Sequence, residues 1–302
     1  MIKVEYVRDG LIEEFHEGYW VSAKPIKGFS PDNDHNTPYF LRSCAKPLQA
    51  TLLLDYGLDL KKEELALCCA SHAGEDCHIK VAMKIMKKFK IKEEMLKCGI
   101  HAPLSKGMQN RMIVRGDSPT PLHNNCSGKH LGFLAICVNK GWSTTDYDAP
   151  DHPLQIAVKE KINDLCGITK EYPMTTDGCG VPILSMPLKN LAQGFVRLLE
   201  YPQILTAIKT NPYIFGGEGR TDTEIISKTE NLIAKVGAGG LCVILNVQEC
   251  NAFVVKINDA SPEARRFALF EIINRIGWGE IKYDNRIKTI AGKVVGQVKV
   301  SF

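Results

Sequence analysis

Strand-like segments lie at both ends of this chain, and helix-like segments fill the residues between them. Near the amino end, two runs of strand-forming residues flank the turn signal Arg8-Asp9-Gly10, which predicts a β-hairpin. Near the carboxyl end, short apolar runs at 232–236, 241–247 and 252–257 predict an antiparallel meander, and residues 294–302 alternate again like a strand. The most economical fold is one antiparallel sheet built from both termini, with the helical residues packed on it.

This layout predicts a mixed α/β fold of the α+β type. The predicted sheet subregion covers residues from about 1–40 and 230–302, the helical subregion covers about 41–229, and residues 1–302 form a single domain. Of the 302 residues, 44% are hydrophobic and 24% are charged, which are ordinary values for a globular protein. These values exclude a disordered chain, a collagen and a coiled coil.

Charge and hydropathy exclude several functional classes. The net charge of +4 is too small to favour a nucleic acid partner. No apolar run approaches the ~18 residues that span a membrane, and the alternating amino end lacks the pattern of a signal peptide. The 11 cysteines have no regular spacing, which favours a reduced, cytoplasmic protein.

Ser43 and Lys46 form a Ser-x-x-Lys motif at the start of a predicted helix. Residues three apart share one helical face, so the hydroxyl and the amine can meet. A serine becomes a good nucleophile only when a neighbour takes its proton, and a lysine whose pKa is lowered by burial or positive charge can do so. Penicillin-binding proteins and β-lactamases use this motif, but a helix cap followed by a surface lysine has the same pattern.

Ser71 and Lys256 extend this pattern. Ser71 follows the end of a predicted helix, and the Ser-x-x-Lys enzymes bring a second serine to the first from a separate helical segment. Those enzymes also carry a lysine on a late strand, within Lys-Thr-Gly. Lys256 lies on a late predicted strand but has no Thr-Gly after it, so the match is one of position only.

Two polar loops carry one cysteine each, Cys126 in the segment 123–130 and Cys179 in the Gly-rich segment 175–182. Thiolates on loops that turn inward suit a soft metal such as zinc. Two cysteines need a third ligand, and the candidates that the spacing leaves open are His123, Lys129, His130, Asp177 and the pair Cys98 and His101. Buried thiols at two turns explain the spacing equally well.

Five segments, in one order along nearly the whole chain, resemble the asparaginase II family, the thermolabile or rhizobial-type L-asparaginases. The segments are residues 42–50, 69–75, 98–103, 123–130 and 177–182. The resemblance implies a fold similar to that of serine β-lactamases and serine-dependent glutaminases, which agrees with a sheet built from both termini. It also implies a homodimer.

The resemblance also implies roles for particular residues. It implies two serine–lysine pairs, Ser43 with Lys46 and Ser71 with Lys256, and Lys235 is the competitor of Lys256. The zinc site that it implies, completed by water or substrate, consists of Cys126, Lys129 and Cys179. The substrate-binding residues that it implies are Arg42, Asp177 and Gly178.

The predicted function is an L-asparagine amidohydrolase that releases L-aspartate and ammonia through an acyl-enzyme. Ser43 attacks the side-chain amide, neutral Lys46 takes its proton, and Ser71 and Lys256 relay a proton to the ammonia, although either serine can be the nucleophile. Zinc orients the substrate or holds the two loops together. The alternatives are a glutaminase or a lactam-acylating enzyme on the same scaffold, and a protein that only binds zinc or an amino acid.

Overall fold

The computed structural model describes residues 1–30 and 36–302; residues 31–35, in the predicted sheet subregion, lie outside the described residues. In the described part, the chain forms a seven-stranded antiparallel sheet, a three-stranded sheet and eleven α-helices. The strands are β1 (Ile2–Arg8), β2 (Leu11–Ser22), β3 (Pro38–Phe40), β4 (Met174–Thr176), β5 (Pro182–Pro187), β6 (Leu232–Val236), β7 (Leu241–Asn246), β8 (Asn251–Ile257), β9 (Arg286–Lys288) and β10 (Val294–Ser301). The helices are α1 (Lys46–Asp55), α2 (Lys62–Cys68), α3 (Asp76–Phe89), α4 (Lys106–Arg115), α5 (Ser127–Lys140), α6 (Pro153–Cys166), α7 (Leu188–Arg197), α8 (Pro202–Thr210), α9 (Pro212–Phe215), α10 (Thr221–Lys228) and α11 (Pro262–Arg275).

The large sheet has the strand order β6-β7-β8-β2-β1-β10-β9, so strands from both ends of the chain lie side by side. β1 and β2 form the predicted hairpin around Asp9 and Gly10, whose positive φ angles of 44° and 89° belong to a two-residue turn that matches the twist of the strands. β10 pairs with the other side of β1. The predicted mixed α/β fold, with an antiparallel sheet built from both termini, is confirmed.

The meander of β6, β7 and β8 is the most deeply buried part of this sheet. Every residue of β6 and β7 is buried, which requires cover on both faces of the sheet. Helix α10 packs against β6, α7 packs against β7 and β8, and α11 packs against β8. Trp20 of β2 packs beside Phe253 of β8, with ring centroids 6.1 Å apart.

The structure contains a small sheet that the sequence did not predict, and two of its strands, β4 and β5, lie in the predicted helical subregion. β3, β4 and β5 form the small sheet in the order β3-β5-β4, and β4 and β5 enclose the loop 177–181. The prediction of a loop over 175–182 was therefore wrong at its ends, where Thr175 and Thr176 pair with Ile183 and Pro182. All three residues of β4 are exposed, so this strand has no apolar alternation by which it can be recognised.

The end of α2 and the start of α5 lie side by side. Gly128, in the first turn of α5, makes this approach possible, because a Cβ atom there would lie 2.1 Å from the carbonyl oxygen of Leu67. The segment after α2 and the segment before α5 therefore meet, and both contact Lys46 at the start of α1.

The longest helices have 14 residues. Across residues 1–30 and 36–302, no helix combines the length and the apolar character that crossing a membrane requires.

Candidate active site

A tight turn carries Ser43 to the start of α1. Residues Arg42–Ala45 form a 3₁₀ turn, and Arg42 has a φ of 47°, in the left-handed region that costs a non-glycine residue roughly 1–2 kcal/mol. The Arg42 guanidinium donates to Asp177 Oδ1 at 2.8 Å, and the Asp177 side chain is only 10% exposed. This ion pair holds the turn, and Ser43 with it, against the loop 177–181.

Cys44 fixes the same turn to the hairpin of β6 and β7. Its buried thiol donates to the carbonyl oxygen of Lys235 at 3.2 Å, and a Cβ atom at Gly237 would lie 2.9 Å from the Cys44 sulfur. Burial raises the pKa of Cys44 to about 12, so this thiol stays protonated although it follows Ser43 directly. The β6–β7 turn therefore lies beside Ser43.

The Lys46 amine lies at the centre of the site, and only 1% of the residue is exposed. Its contacts are the carbonyl oxygens of Ala70 (2.7 Å) and Asn125 (3.2 Å), Ser71 Oγ (3.0 Å) and Cys126 Sγ (3.3 Å). Within the described residues it makes no hydrogen bond to Ser43. The structure thus joins Lys46 to the second of the two predicted serines rather than to the first.

Ser43 and Ser71 line the same cavity, which has a volume of about 270 Å³. One wall is the turn 236–240 between β6 and β7, and the cavity is also lined by Asn125, Arg220 and Arg265. Ser43 is partly exposed, whereas Ser71 is buried. A volume just below the range of roughly 300–1,000 Å³ for drug-sized ligands suits a small polar substrate beside both hydroxyls.

Lys256 does not line this cavity. Its amine donates to the carbonyl oxygen of Ile257 at 2.7 Å, lies 5.8 Å from the centroid of the Tyr39 ring, and lines an adjacent cavity with Arg42. The strand that carries it, β8, is third from the sheet edge, whereas the turn before α1 packs on β6 and β7. The structure therefore does not bring Lys256 to Ser71, because two strands lie between β8 and the edge.

Lys235, the competitor of Lys256, lies next to the site on the edge strand β6. It is fully buried, and its amine lies 3.5 Å from Asp222 Oδ2. Burial lowers the pKa of Lys235 to about 8; the Asp222 carboxylate opposes this shift and the Lys46 charge adds to it. The signal that could have found it is the sequence Lys-Val-Gly at 235–237, which differs from Lys-Thr-Gly at one position.

The three predicted zinc ligands lie together. Lys129 Nζ donates to Cys179 Sγ at 2.9 Å. A hydrogen bond from the Cys179 thiol holds the pKa of Cys126 well below its usual range, and the same hydrogen bond raises the pKa of Cys179. Burial lowers the pKa of Lys129, but the two cysteines outweigh this effect and raise it. These shifts favour the ionised form of Cys126, the protonated form of Cys179 and the charged form of Lys129.

The donor set of this cluster decides whether it fits a metal. Across residues 1–30 and 36–302, no group of three or more histidine, cysteine, aspartate or glutamate side chains is arranged to hold a metal ion. The cluster of Cys126, Lys129 and Cys179 differs from such a group because its third donor is the Lys129 amine. Zinc prefers sulfur and nitrogen donors, and a bound dication replaces the protons of its ligands. The residues therefore fit zinc once Lys129 has lost its proton.

Asp177 connects the zinc-ligand cluster to the turn that carries Ser43. Its Oδ2 lies 3.9 Å from Cys179 Sγ, while its Oδ1 accepts from Arg42 and, at 2.9 Å, from the backbone N–H of Gly178. The predicted substrate-binding residues thus contact one another. In this arrangement they fix the loop 177–181 to the start of α1.

Three charged residues of the site were missed by the sequence analysis: Arg220, Asp222 and Arg265. Arg220 and Arg265 line the cavity, and Asp222 lies buried beside Lys235. Arg220 directly precedes α10 and Arg265 lies on α11. No motif marks them in the sequence, since only the packing of α10 on β6 and of α11 on β8 brings them to the site.

Comparisons with known proteins give one family match and similarity to solved structures. The L-asparaginase II family model matches residues 4–300. No curated protein gave a match. Among solved structures, the chain is similar to a "putative beta-lactamase" from Bacteroides dorei DSM 17855 (11% identity, TM-score 0.40, covering 85% of this chain and 84% of that chain). It is also similar to a β-lactamase from Mycobacterium bovis (12% identity, TM-score 0.40, covering 91% and 94%).

Proposed function

The chain belongs to the L-asparaginase II family, and on this premise we propose that it hydrolyses the side-chain amide of L-asparagine to L-aspartate and ammonia. One observation carries the mechanism. The Lys46 amine lies 3.0 Å from Ser71 Oγ, and Ser71 shares a small cavity with Ser43. A hydroxyl within hydrogen-bond reach of an amine can pass a proton to it.

The contacts of Lys46 suit a proton acceptor. A neutral amine has two N–H donors and one lone pair. In the structure the Lys46 amine donates to the carbonyl oxygens of Ala70 and Asn125, to Ser71 Oγ and to Cys126 Sγ; when the amine is neutral, its lone pair can instead take the hydroxyl proton of Ser71. Lys46 can therefore act as the base of the reaction through Ser71.

Ser43 is the proposed nucleophile because it is the more exposed serine and lies at the start of α1. Its Oγ forms a bond to the amide carbon, and its proton passes through the Ser71 hydroxyl to Lys46. The C–N bond then breaks, and the same path gives the proton to the leaving ammonia. Water repeats the sequence on the ester and releases L-aspartate.

The turn after β6 supplies a donor for the oxyanion. Ala238 lines the cavity with Ser43, and its N–H donates to no backbone carbonyl in the described part of the chain. A preorganised N–H beside the developing charge is usually the largest single contribution to catalysis of this kind.

We propose Lys235 instead of Lys256 as the second lysine of the site. Its buried amine interacts with the Lys46 charge, and repulsion between two close amines disfavours the state in which both are charged. This electrostatic coupling helps to keep one amine available as a proton acceptor.

We also propose that Cys126, Lys129 and Cys179 hold zinc when the metal is present. The bound metal supplies a positive charge that orients the substrate or strengthens the contact between the two loops. We expect C126S and C179S to lose zinc in a metal analysis, whereas C250S, at an exposed position, keeps it. Unchanged zinc content in both ligand variants would show that the assignment is wrong.

The test of the proposed function measures ammonia release from asparagine and from glutamine, with nitrocefin hydrolysis in parallel. We expect asparagine to be the preferred substrate. The S43A variant should lose at least ~10³-fold in kcat, as the removal of a covalent nucleophile does, while S118A, at an exposed position, should not.

Three outcomes contradict this proposal. Preference for glutamine or nitrocefin supports the other serine hydrolases on this scaffold. A thermal shift with asparagine in the absence of ammonia release supports a binding protein. Near-wild-type turnover by S43A rejects Ser43 as the nucleophile.

We further propose that the protein acts as a homodimer in a reducing, cytoplasmic compartment. All 11 cysteines are free, which supports a reducing environment. Light scattering on the purified protein should give the mass of a dimer, and the mass of a monomer would contradict the assembly.

A further inference from the structure

The charged side chains that line the serine cavity are all positive. Arg220 and Arg265 both line it, and its described lining contains no aspartate or glutamate. A small, partly enclosed cavity with two guanidinium groups and no carboxylate in its described lining attracts an anionic ligand. The amide that occupies it beside Ser43 and Ser71 should therefore carry a negative charge.

Arg265 is held in place from the side of the sheet. Its Nη1 donates to the carbonyl oxygens of Gly237 at 2.9 Å and Leu241 at 3.4 Å, and only 6% of the residue is exposed. Its Nε is buried and makes no hydrogen bond within the described residues. A buried donor without a partner is costly, so this guanidinium has capacity for an acceptor that enters the cavity.

The Arg220 guanidinium has fewer hydrogen-bond partners than that of Arg265 within the described residues. Its nearest acid is Asp222, whose Oδ1 lies 4.0 Å from the Arg220 Nε, and this Nε is buried without a hydrogen-bond partner in the part of the chain described. The same carboxylate also faces Lys235 at 3.5 Å. One buried carboxylate thus faces two cations, which leaves positive charge at the cavity.

We propose that Arg220, with Arg265 beside it, binds the carboxylate of the substrate, so that the site selects small linear amides that carry a carboxylate and does not require an α-amino group. This proposal rests on the proposed amide hydrolysis at the same site. A guanidinium donates two parallel N–H groups to a carboxylate, which fixes the orientation of a ligand as well as its charge.

The substrate amine has no such partner. Because no acid lines the described cavity, an α-ammonium group gains no ion pair there. Succinamate, which is asparagine without the amine, should therefore be hydrolysed with a kcat/KM within about tenfold of that of asparagine, because one solvated charge contributes little. 3-Aminopropanamide, which keeps the amine and lacks the carboxylate, should be at least ~10²-fold poorer.

The test compares wild type with R220Q, R220K and R266Q on these three amides. Arg266 is the matched control, because it follows Arg265 on α11 but binds Glu224 at 2.9 Å and does not line the cavity. We expect R220Q to raise KM for asparagine and succinamate about 10- to 100-fold, the value of one or two charged hydrogen bonds. R220Q should not weaken the hydrolysis of 3-aminopropanamide, which has no carboxylate to lose. R220K should recover part of the loss for asparagine and succinamate, and R266Q should match wild type.

A second measurement separates this inference from the proposed function. Succinate and β-alanine are titrated into wild type and R220Q by calorimetry, which needs no turnover, and circular dichroism shows whether R220Q is folded. Succinate should bind wild type and lose about 10- to 100-fold in affinity in R220Q. β-Alanine, which has an amine at one end and a carboxylate at the other, should also bind R220Q more weakly than wild type.

The outcomes are distinguishable. If no amide is hydrolysed but succinate binds through Arg220, the proposed function fails and the carboxylate site stands. If asparagine is hydrolysed but R220Q leaves KM and succinate affinity unchanged, the inference is overturned. Hydrolysis of 3-aminopropanamide as fast as succinamate also overturns it.

Discussion

At the scale of single residues, Lys46 explains why the site contains segments that are distant in sequence. A buried amine requires hydrogen-bond partners, and the partners of Lys46 come from the segments after α2 and before α5. The amine therefore fixes both segments and also forms a hydrogen bond with the Ser71 hydroxyl.

The two late lysines give the first prediction. We expect K235M to lose at least ~10²-fold in kcat, within the range for a group that takes part in proton transfer, and K256M to stay close to wild type. Lys235 is buried next to the Lys46 charge, whereas the Lys256 amine lies in the adjacent cavity. Steady-state kinetics on asparagine measures the difference, and an inactive K256M beside an active K235M would reverse the assignment.

A control is needed because K235M leaves the buried Asp222 with Arg220, 4.0 Å away, as its remaining cation, which costs up to about 3–5 kcal/mol in the free energy of unfolding. The double variant K235M/D222N removes both charges. We expect it to regain much of the stability in a denaturant titration without regaining activity.

The sequence indicates several residues that the structure brings close together, but it does not predict which of them touch. The Ser-x-x-Lys spacing shows that Ser43 and Lys46 share a face, but it does not fix the direction of a four-carbon side chain. In the structure this side chain reaches Ser71. The choice between Lys235 and Lys256 depends on strand order, which the sequence does not state.

At the scale of elements, the contact between α2 and α5 positions the polar segments of the site. It depends on Gly128, since a Cβ atom there would lie 2.1 Å from the Leu67 carbonyl oxygen. Moving α5 away would shift Cys126 and Lys129, which lie at its start, away from Lys46 and the loop 177–181.

We expect G128A to be destabilised by about 1–3 kcal/mol or more, because the added methyl forces the backbones apart. Gly107 in α4 is the matched control, since a Cβ there has 3.7 Å to its nearest neighbour. G107A should be neutral or more stable by up to about 1 kcal/mol, through the higher helix propensity of alanine. Urea unfolding measures both, and equal stability of the two variants would contradict the account.

Elements with local signals are those that the sequence predicts well. The Asp9-Gly10 turn fixes the first hairpin, and Pro262 at the first position of α11, after the cap residue Ser261, marks the start of that helix. β4 has three exposed residues and its partner β5 begins and ends with proline, so their pairing has no local signal and follows from the surrounding fold.

At the scale of the whole molecule, the sheet order brings the parts of the site together. β6 is an edge strand, and the turn that carries Ser43 packs against β6 and β7. The sequence predicts that both termini share a sheet, but the nearness of β6 to α1 is a long-range contact that only the folded chain specifies.

The pH dependence of stability is a property of the whole molecule. Burial lowers the pKa of His72 and of His78, so both stay neutral in the folded protein at a pH where the unfolded chain binds protons. Stability should therefore be unaffected by these groups above about pH 6.5 and should fall below it, by at most about 1.4 kcal/mol per pH unit for each histidine.

Urea unfolding at pH 7.5, 6.5 and 5.5 measures this slope. H78Q should reduce the loss between pH 6.5 and 5.5, whereas H101Q, which changes an exposed histidine, should keep it. A rise in stability on acidification would contradict the burial of neutral histidines.

The central claim is that a serine linked to Lys46 through Ser71 carries the acyl group. Rapid acid quenching during turnover of asparagine, followed by peptide mass mapping, tests it most directly. We predict an aspartyl ester on the peptide that contains Ser43. An ester on Ser71, or turnover without any serine-bound aspartyl group, would contradict the account.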